Sequence, residues 1–382
     1  MHRTVVIHRT PGSLPRQATQ NEEALPSMYR RTRVFRLAAA TAVAAGLAVT
    51  AGVAPASAQK SKALPATTIN GSGATFPQGF IDQCRETFRE VQPNVTVNYP
   101  NPGGGSGKGR TEFADQVTQW GASDAPYAAA DLSKIKGGAF LYVPTVTAPI
   151  TVSYNLPSLK KPLRLAPLNV AKLFQGDITK WNDPLIAADN PGVKLPDTKV
   201  TIARRSDGSG TTENFTRYLS SAAGSVWKLG AGSTVTWPAD AQGGNGNSGV
   251  GAIVKATEGA VGYVDYSDAK ATGLKFAEVQ NAAGNFILPS LPAATAALEG
   301  VALNADGLYN PLNSPNAKAY PISAPTFVLV YAKYPDANVA AAVKAWAEYL
   351  VGPCQRQAKL VDYAALPKAW ATQTRERLKA IS

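Results

Sequence analysis

Histidine and cysteine are almost missing from this chain. Its two histidines, His2 and His8, both fall within the first 58 residues, a stretch that reads as a removable leader, so residues 59 to 382 have none. That excludes a Ser-His-Asp triad, a Cys-His pair and a histidine metal site from the remaining chain. The two cysteines, Cys84 and Cys354, are too few for a structural zinc site or a redox CxxC motif. Charge is also thin: 17% of residues are charged, and they are scattered rather than gathered into the dense Lys/Arg tract of a nucleic-acid binder.

The leader has a definite anatomy. Arg30, Arg31, Arg33 and Arg36 precede an apolar, Ala-rich run from Leu37 to Val53, and Ala56-Ser57-Ala58 offers a small-x-small cleavage site. The run approaches the length of a membrane span, but no basic stop-transfer cluster follows it, so export with cleavage is expected over a retained anchor. Met28 offers an alternative start, because residues 1 to 27 carry no export feature, and the paired arginines loosely match a twin-arginine signal. No cysteine lies near the cleavage site, so there is no lipobox for a lipid anchor. Of the formal net charge of +12, the leader's seven arginines and two glutamates account for +5, which leaves +7 on the remaining 324 residues. That surplus attracts anions. In an exported protein the expected fate of Cys84 and Cys354 is a single disulfide, with two buried free thiols as the alternative.

Local patterns predict alternating strands and helices, hence an α/β fold. Residues 67 to 70 read as a strand and Gly71 to Pro77 as a turn into a helix, with Phe80, Cys84, Phe88 and Val91 at helical spacing. Residues 95 to 99 alternate as a strand, 100 to 109 form a glycine-rich loop, and a second helix is expected from Thr111 to Trp120. Two long β-rich runs, 140 to 154 and 324 to 332, read as hinge strands; the prolines of the first predict a crossing segment rather than a central strand. Between them lie a helix at 169 to 174, strands at 199 to 203 and 259 to 267, and a Gly/Asn/Ser/Thr-rich loop at 230 to 251. Helices at 338 to 351 and 353 to 360 follow, split by Gly352-Pro353. The expected division is lobe I, residues 59–154 with 330–382, and lobe II, 155–329, which puts both cysteines in one lobe. The six tryptophans are expected in packing rather than in a binding site.

One stretch concentrates chemistry: "RRSDGSGTTENF", residues 204 to 215. As a nucleophile elbow it fails, since Asp207 stands where G-x-S-x-G needs glycine and no histidine is available to activate Ser209. As a Walker loop it fails too, as does "GGGSGKGR" at 103 to 110, where Gly109 follows the lysine. Two readings remain. Gly208-Ser209-Gly210 and the threonines Thr211 and Thr212 either cap a helix in an ordinary turn or form an anion site. In the second case first-turn amides and the helix dipole face the ligand, Arg205 adds a fork of donors, and Asp207 steadies the guanidinium. A second glycine-rich helix start at Gly73-Ala74-Thr75-Phe76, the Ser106 hydroxyl and the Asp124 carboxylate extend the same pattern.

The blocks "INGSGATFPQGF", "GASDAP", "RRSDGSGTTENFTRYLS", "GAVGYVDYSDAK", "YPISAPTFVLV" and "VDYAALP" resemble, in order, those of the phosphate-binding proteins of Pst-type ABC importers. "TTINGSGATFP" is similar to the start of the DING branch of that family. The resemblance implies a type II periplasmic-binding fold, two α/β lobes joined by two hinge strands closing over one phosphate. It implies as ligands Thr75 and Phe76 through their N–H groups, with the Thr75 hydroxyl, and then Ser106, Asp124, Arg205, Ser209, Gly210 and Thr211, with Asp207 pairing the arginine. The loop around Ser106 is longer and richer in glycine than the family's usual pattern. No cofactor and no metal are implied. The resemblance further implies inorganic phosphate and the membrane subunits of a permease as partners, and the expected protein is secreted, periplasmic or extracellular, a monomer that binds no nucleic acid and is not an enzyme.

Chemistry favours phosphate for such a set. The carboxylate of Asp124 accepts a proton that phosphate still carries near neutrality and sulfate does not. Facing another ionised oxygen would cost several kcal/mol, roughly 10³-fold in preference. The alternatives are a DING-like phosphatase using the same pocket and a receptor for another oxyanion.

Overall fold

The structure is a computed structural model that describes residues 63 to 382. The expected leader, its cleavage site and the alternative start lie outside the described residues. The chain runs through β1 (Thr67–Gly73), α1 (Gln78–Val91), β2 (Val95–Asn98), α2 (Ser106–Ala114), β3 (Trp120–Ser123), a 3-10 turn at Ala129–Lys134 and the long β4 (Phe140–Tyr154). It continues with β5 (Arg164–Leu165), α3 (Pro167–Phe174), α4 (Pro184–Asp189), β6 (Thr201–Arg205), α5 (Gly210–Ala222), β7 (Gln242–Gly244), α6 (Gly246–Ala256), β8 (Ala260–Asp265) and α7 (Tyr266–Thr272). The short β9 (Lys275–Phe276), β10 (Glu278–Gln280) and β11 (Phe286–Ile287) precede α8 (Leu291–Ala297) and the returning β12 (Ser323–Tyr331). Last come α9 (Ala337–Val351), a 3-10 segment at Pro353–Val361, β13 (Ala364–Ala365) and α10 (Lys368–Leu378).

The strands form one path in the order β2-β1-β3-β12-β4-β8-β6-β7. At one end β1 lies parallel to β2 and β3, at the other β6 lies parallel to β7 and β8. Each group is a βαβ sheet whose helices cover its faces, and β4 with β12 joins them. Along β4, residues 140 to 149 pair antiparallel with β12, and Ile150 to Tyr154 pair with β8. This is the fold of two α/β lobes on two connecting strands. β4 is at once a crossing and a central strand, which corrects the expectation drawn from its prolines. Pro144 sits opposite Phe327 beside a break in the ladder between Pro325 and Phe327, and Pro149 sits opposite Ser323, the first residue of β12. Both rings therefore occupy places where a missing N–H disturbs little.

The apolar spacing of α1 buries Phe80, Ile81, Cys84 and Phe88, with Phe88 edge-on to Trp346 of α9 at 5.3 Å. Trp120, Trp181, Trp227, Trp346 and Trp370 are buried and Trp237 packs against the core. Two expected boundaries move. The second helix starts at Ser106 and ends at Ala114, because Gly105, at φ +89°, turns the chain directly into it. The expected loop at 230 to 251 holds β7 and half of α6, a helix whose glycines hide its buried face of Val250 and Val254. The segment after Pro353 is 3-10 rather than α. Among the described residues no helix is long and apolar enough to cross a membrane.

Cys84 of α1 and Cys354 of the 3-10 segment form a disulfide with their Cα atoms 5.7 Å apart, closing a separation of 270 residues. A loop that long restricts the unfolded chain strongly, worth about 2–5 kcal/mol in chain-entropy terms. Replacing both cysteines with alanine should lower the guanidinium midpoint by a corresponding amount, and reductant should do the same to the parent but not to the variant. Equal midpoints for parent and variant would show that the bridge adds nothing.

Candidate functional site

The starts of α1, α2, α5 and α6 and the ends of β3 and β6 meet between the lobes. The chain leaves β1 through Gly73, at φ +132°, and Thr75 and Phe76 precede α1. Buried tyrosines hold the carbonyls of this turn: Tyr99 Oη donates to Ala74 O and Tyr363 Oη to Phe76 O, each at 2.6 Å. The N–H groups of Thr75 and Phe76 donate to no carbonyl among the described residues. Ser106 is the first residue of α2, and Asp124 follows β3.

Asp124 is 1% exposed. Its Oδ1 accepts from Thr326 Oγ1 of β12 at 2.9 Å, its Oδ2 from Ser106 Oγ at 3.3 Å, and its own N–H donates to Ser106 Oγ at 3.1 Å. Burial pushes its pKa up to about 7, against the pull of the Thr326 hydrogen bond, the Arg205 charge, the Ser106 hydrogen bond and the Arg110 charge. The carboxylate is thus poised near neutrality.

On the facing lobe Arg205 ends β6, with its N–H donating to Tyr263 Oη at 3.0 Å. Its side chain forks onto Asp207, Nε to Oδ1 at 2.7 Å and Nη2 to Oδ2, and Nη1 reaches Thr211 Oγ1 at 3.3 Å. Asp207 also accepts from the Gly246 N–H at the start of α6, at 3.2 Å. Burial raises its carboxyl, but the hydrogen bond and charge of Arg205 and the amide of Gly246 outweigh burial and hold it below the ordinary carboxylate value. Ser209 caps α5, its hydroxyl accepting from Thr212 N–H at 3.1 Å. Neither Gly210 nor Thr211, the first two residues of α5, donates its N–H to a described carbonyl.

The two walls touch. Gly107 N–H donates to Gly208 O at 2.8 Å, Asn214 Nδ2 donates to Asp124 O at 2.7 Å, and Arg110 faces Glu213 at 3.4 Å. A side chain at Gly210 has no room: its Cβ would collide with Ser106 Oγ and lie 2.7 Å from Asp124 Oδ2. The sequence-predicted residues Thr75, Phe76, Ser106, Asp124, Arg205, Asp207, Ser209, Gly210 and Thr211 are therefore assembled in one place. Sequence reasoning missed Asn247, which links Thr75 to Thr211, and Thr326, which holds Asp124. For Asn247 the signal was present in "GNGNSGVG", a third glycine-rich helix start; for Thr326 there was none, since it sits inside a β run.

The raised Asp124 sets a pH dependence. Its folded value lies above its unfolded one, so the folded chain keeps the proton longer. Stability is full below about pH 4 and is lost as pH rises through about 7. In phosphate-free buffer the stability difference between Asp124→Asn and the parent should grow in the variant's favour over that window, by at most about 4 kcal/mol. Denaturant titrations at several pH values check this, and parallel profiles would remove the carboxyl's role.

A family model described as PBP superfamily domain matches residues 50–353. Phosphate-binding protein PstS of Xylella fastidiosa (strain Temecula1 / ATCC 700964) is 34% identical over 318 residues, covering 82% of this chain and 84% of that protein. Phosphate-binding protein PstS 3 of Mycobacterium tuberculosis (strain ATCC 25618 / H37Rv) is 34% identical over 328 residues, with 82% and 87% covered. Among solved structures, a high affinity periplasmic phosphate-binding protein (PfluDING) bound with phosphate at pH 8.5 aligns with a TM-score of 0.65 at 22% identity, over 81% of this chain and 93% of that one. At that identity the structural likeness speaks for the fold, and the sequence matches speak for the family. The chain belongs to the phosphate-binding proteins PstS of the PBP superfamily.

Proposed function

We propose that this protein captures inorganic phosphate between its lobes and delivers it to the membrane subunits of an ABC permease. The observation that carries the reading is the pairing of one buried, proton-accepting carboxylate, Asp124, with a wall of donors. The N–H groups of Thr75, Phe76, Gly210 and Thr211, the hydroxyls of Thr75, Ser106, Ser209 and Thr211, and the Arg205 guanidinium would bind phosphate oxygens; Asp124 would take the remaining phosphate proton. Asp207 would hold Arg205 in place. The reading is binding rather than catalysis, because the relatives at 34% identity carry the name of binding proteins.

We place the lobe boundary close to the one expected from sequence, 59–154 with 330–382 against 155–329, but start the second crossing earlier. β12 pairs with β4 from Ser323 onward and with β3 from Phe327 onward, so residues 323 to 329 go with lobe I. In our reading the protein acts outside the cytoplasm as a monomer and without nucleic acid.

Calorimetric titration of the purified protein, stripped of carried-over phosphate by partial unfolding, tests the function. Tight one-to-one phosphate binding with no sulfate heat is expected at neutral pH. Asp124→Asn should narrow the phosphate preference over sulfate by one or more orders of magnitude, because an amide donates where the carboxylate repelled. Arg205→Ala should weaken phosphate roughly 10- to 100-fold. Binding of neither anion by the parent would sink the reading, and an unchanged Arg205→Ala affinity would take that residue out of the site.

A further inference from the structure

Asn247, the second residue of α6, is fully buried and touches both walls of the site. The orientation of its carboxamide is fixed by chemistry. One corner accepts from the Asp265 backbone N–H at 3.3 Å, and a backbone N–H only donates, so that corner is Oδ1 and the NH₂ must face the other way. The two protons of Nδ2 then reach two different hydroxyls, Thr75 Oγ1 at 3.1 Å and Thr211 Oγ1 at 3.2 Å.

Each of those oxygens receives a second donor. Thr75 Oγ1 also accepts from the Asn247 backbone N–H at 3.3 Å, and Thr211 Oγ1 from Arg205 Nη1 at 3.3 Å. A threonine hydroxyl has two lone pairs and one proton. With both lone pairs used, the hydroxyl is left with a proton and nothing else to offer. We propose that Asn247 is a positioning residue that makes Thr75 and Thr211 donor-only, so that both hydroxyl protons are turned to an oxyanion held between the lobes; this rests on the phosphate reading of the site.

The arrangement divides the site by chemistry. Ser106 keeps the usual ambivalence of a hydroxyl, accepting from the Asp124 N–H and donating to its carboxylate. The corner formed by Ser106 and Asp124 therefore tolerates a ligand proton, while the edge formed by Thr75, Thr211 and Arg205 rejects one. A protonated ligand is thereby held in a single orientation, with its proton at Asp124. Because Thr75 precedes α1 in one lobe and Asn247 opens α6 in the other, the Thr75 hydroxyl becomes donor-only when the lobes meet. Asn247 acts in closure as well as in selection.

A double-mutant cycle on the purified protein separates this role from simple packing. Asn247→Leu, branched at the same carbon but without donors, should weaken phosphate roughly 10- to 100-fold. Combined with Thr75→Val and Thr211→Val, which themselves weaken phosphate, it should add less than about 2-fold, since no hydroxyl protons remain to be aimed. A loss of the same size in the double-valine background, or none in the parent, would overturn the proposal. Asn247→Asp keeps the Oδ1 acceptor and guards against misfolding of the leucine variant. Its loss should exceed that of leucine, and part of the loss should vanish in the double-valine background; full persistence there would mean charge repulsion alone and would count against Asn247 as a positioning residue. If the valine variants bind phosphate as the parent does, the reading of the site fails as a whole.

Discussion

A carboxylate that is 1% exposed has to be solvated by protein, and the burial of Asp124 sets the terms for everything around it. An ionised group taken out of water is stable only among donors aimed at it. Those donors come from separate parts of the chain: Ser106 at the start of α2, Thr326 in the middle of β12, and further off the charges of Arg205 and Arg110. The compensation is incomplete, which is why the pKa settles at about 7 rather than in the carboxylate range. Incomplete compensation is useful here. A carboxylate fully satisfied by the protein would have no further claim on a ligand's proton.

The same economy governs the positive side. Arg205 is nearly inaccessible, and its charge is answered by Asp207, which in turn is held by an α6 amide. In the proposed site most of the attraction for an anion would then come from neutral groups, the amides and hydroxyls at or just before the starts of α1, α2 and α5. Neutral donors demand no counter-ion when buried, and their geometry is fixed by helices rather than by flexible side chains. The modest and scattered excess of basic residues fits that division: long-range attraction is diffuse, and recognition is local.

Legibility in the sequence followed the range of the interactions. The helix starts at Thr75 and Ser209 were readable because glycine, proline and hydroxyl residues mark such places by local backbone chemistry. The disulfide followed from compartment and count. What stayed hidden depended on tertiary contact. Thr326 looks like any β-branched residue of a buried strand until β12 is laid beside β3. Asn247 sat in a stretch whose glycines read as loop, and its helix exists because Val250 and Val254 pack on Ala203 and Val264. The prolines of β4 pointed away from a central strand because the break in the opposite ladder, which accommodates Pro144, is a property of the partner strand.

Closure and binding are coupled through unsatisfied groups. With the lobes together, the N–H groups of Thr75, Phe76, Gly210 and Thr211 lie on buried residues and have no described carbonyl as acceptor. Each buried donor without a partner costs about 1–3 kcal/mol, which offsets the hydrogen bonds made across the lobes. The ion pair of Arg110 with Glu213 beside the site does little to offset it: burial raises Glu213 above the ordinary glutamate value even with Arg110 at 3.4 Å, so desolvation outweighs attraction. On the reading proposed above, an oxyanion that brings several acceptors at once would satisfy these donors and favour the closed form. A ligand with too few oxygens, or with a proton on the wrong edge, leaves donors unpaired and does not hold the lobes shut.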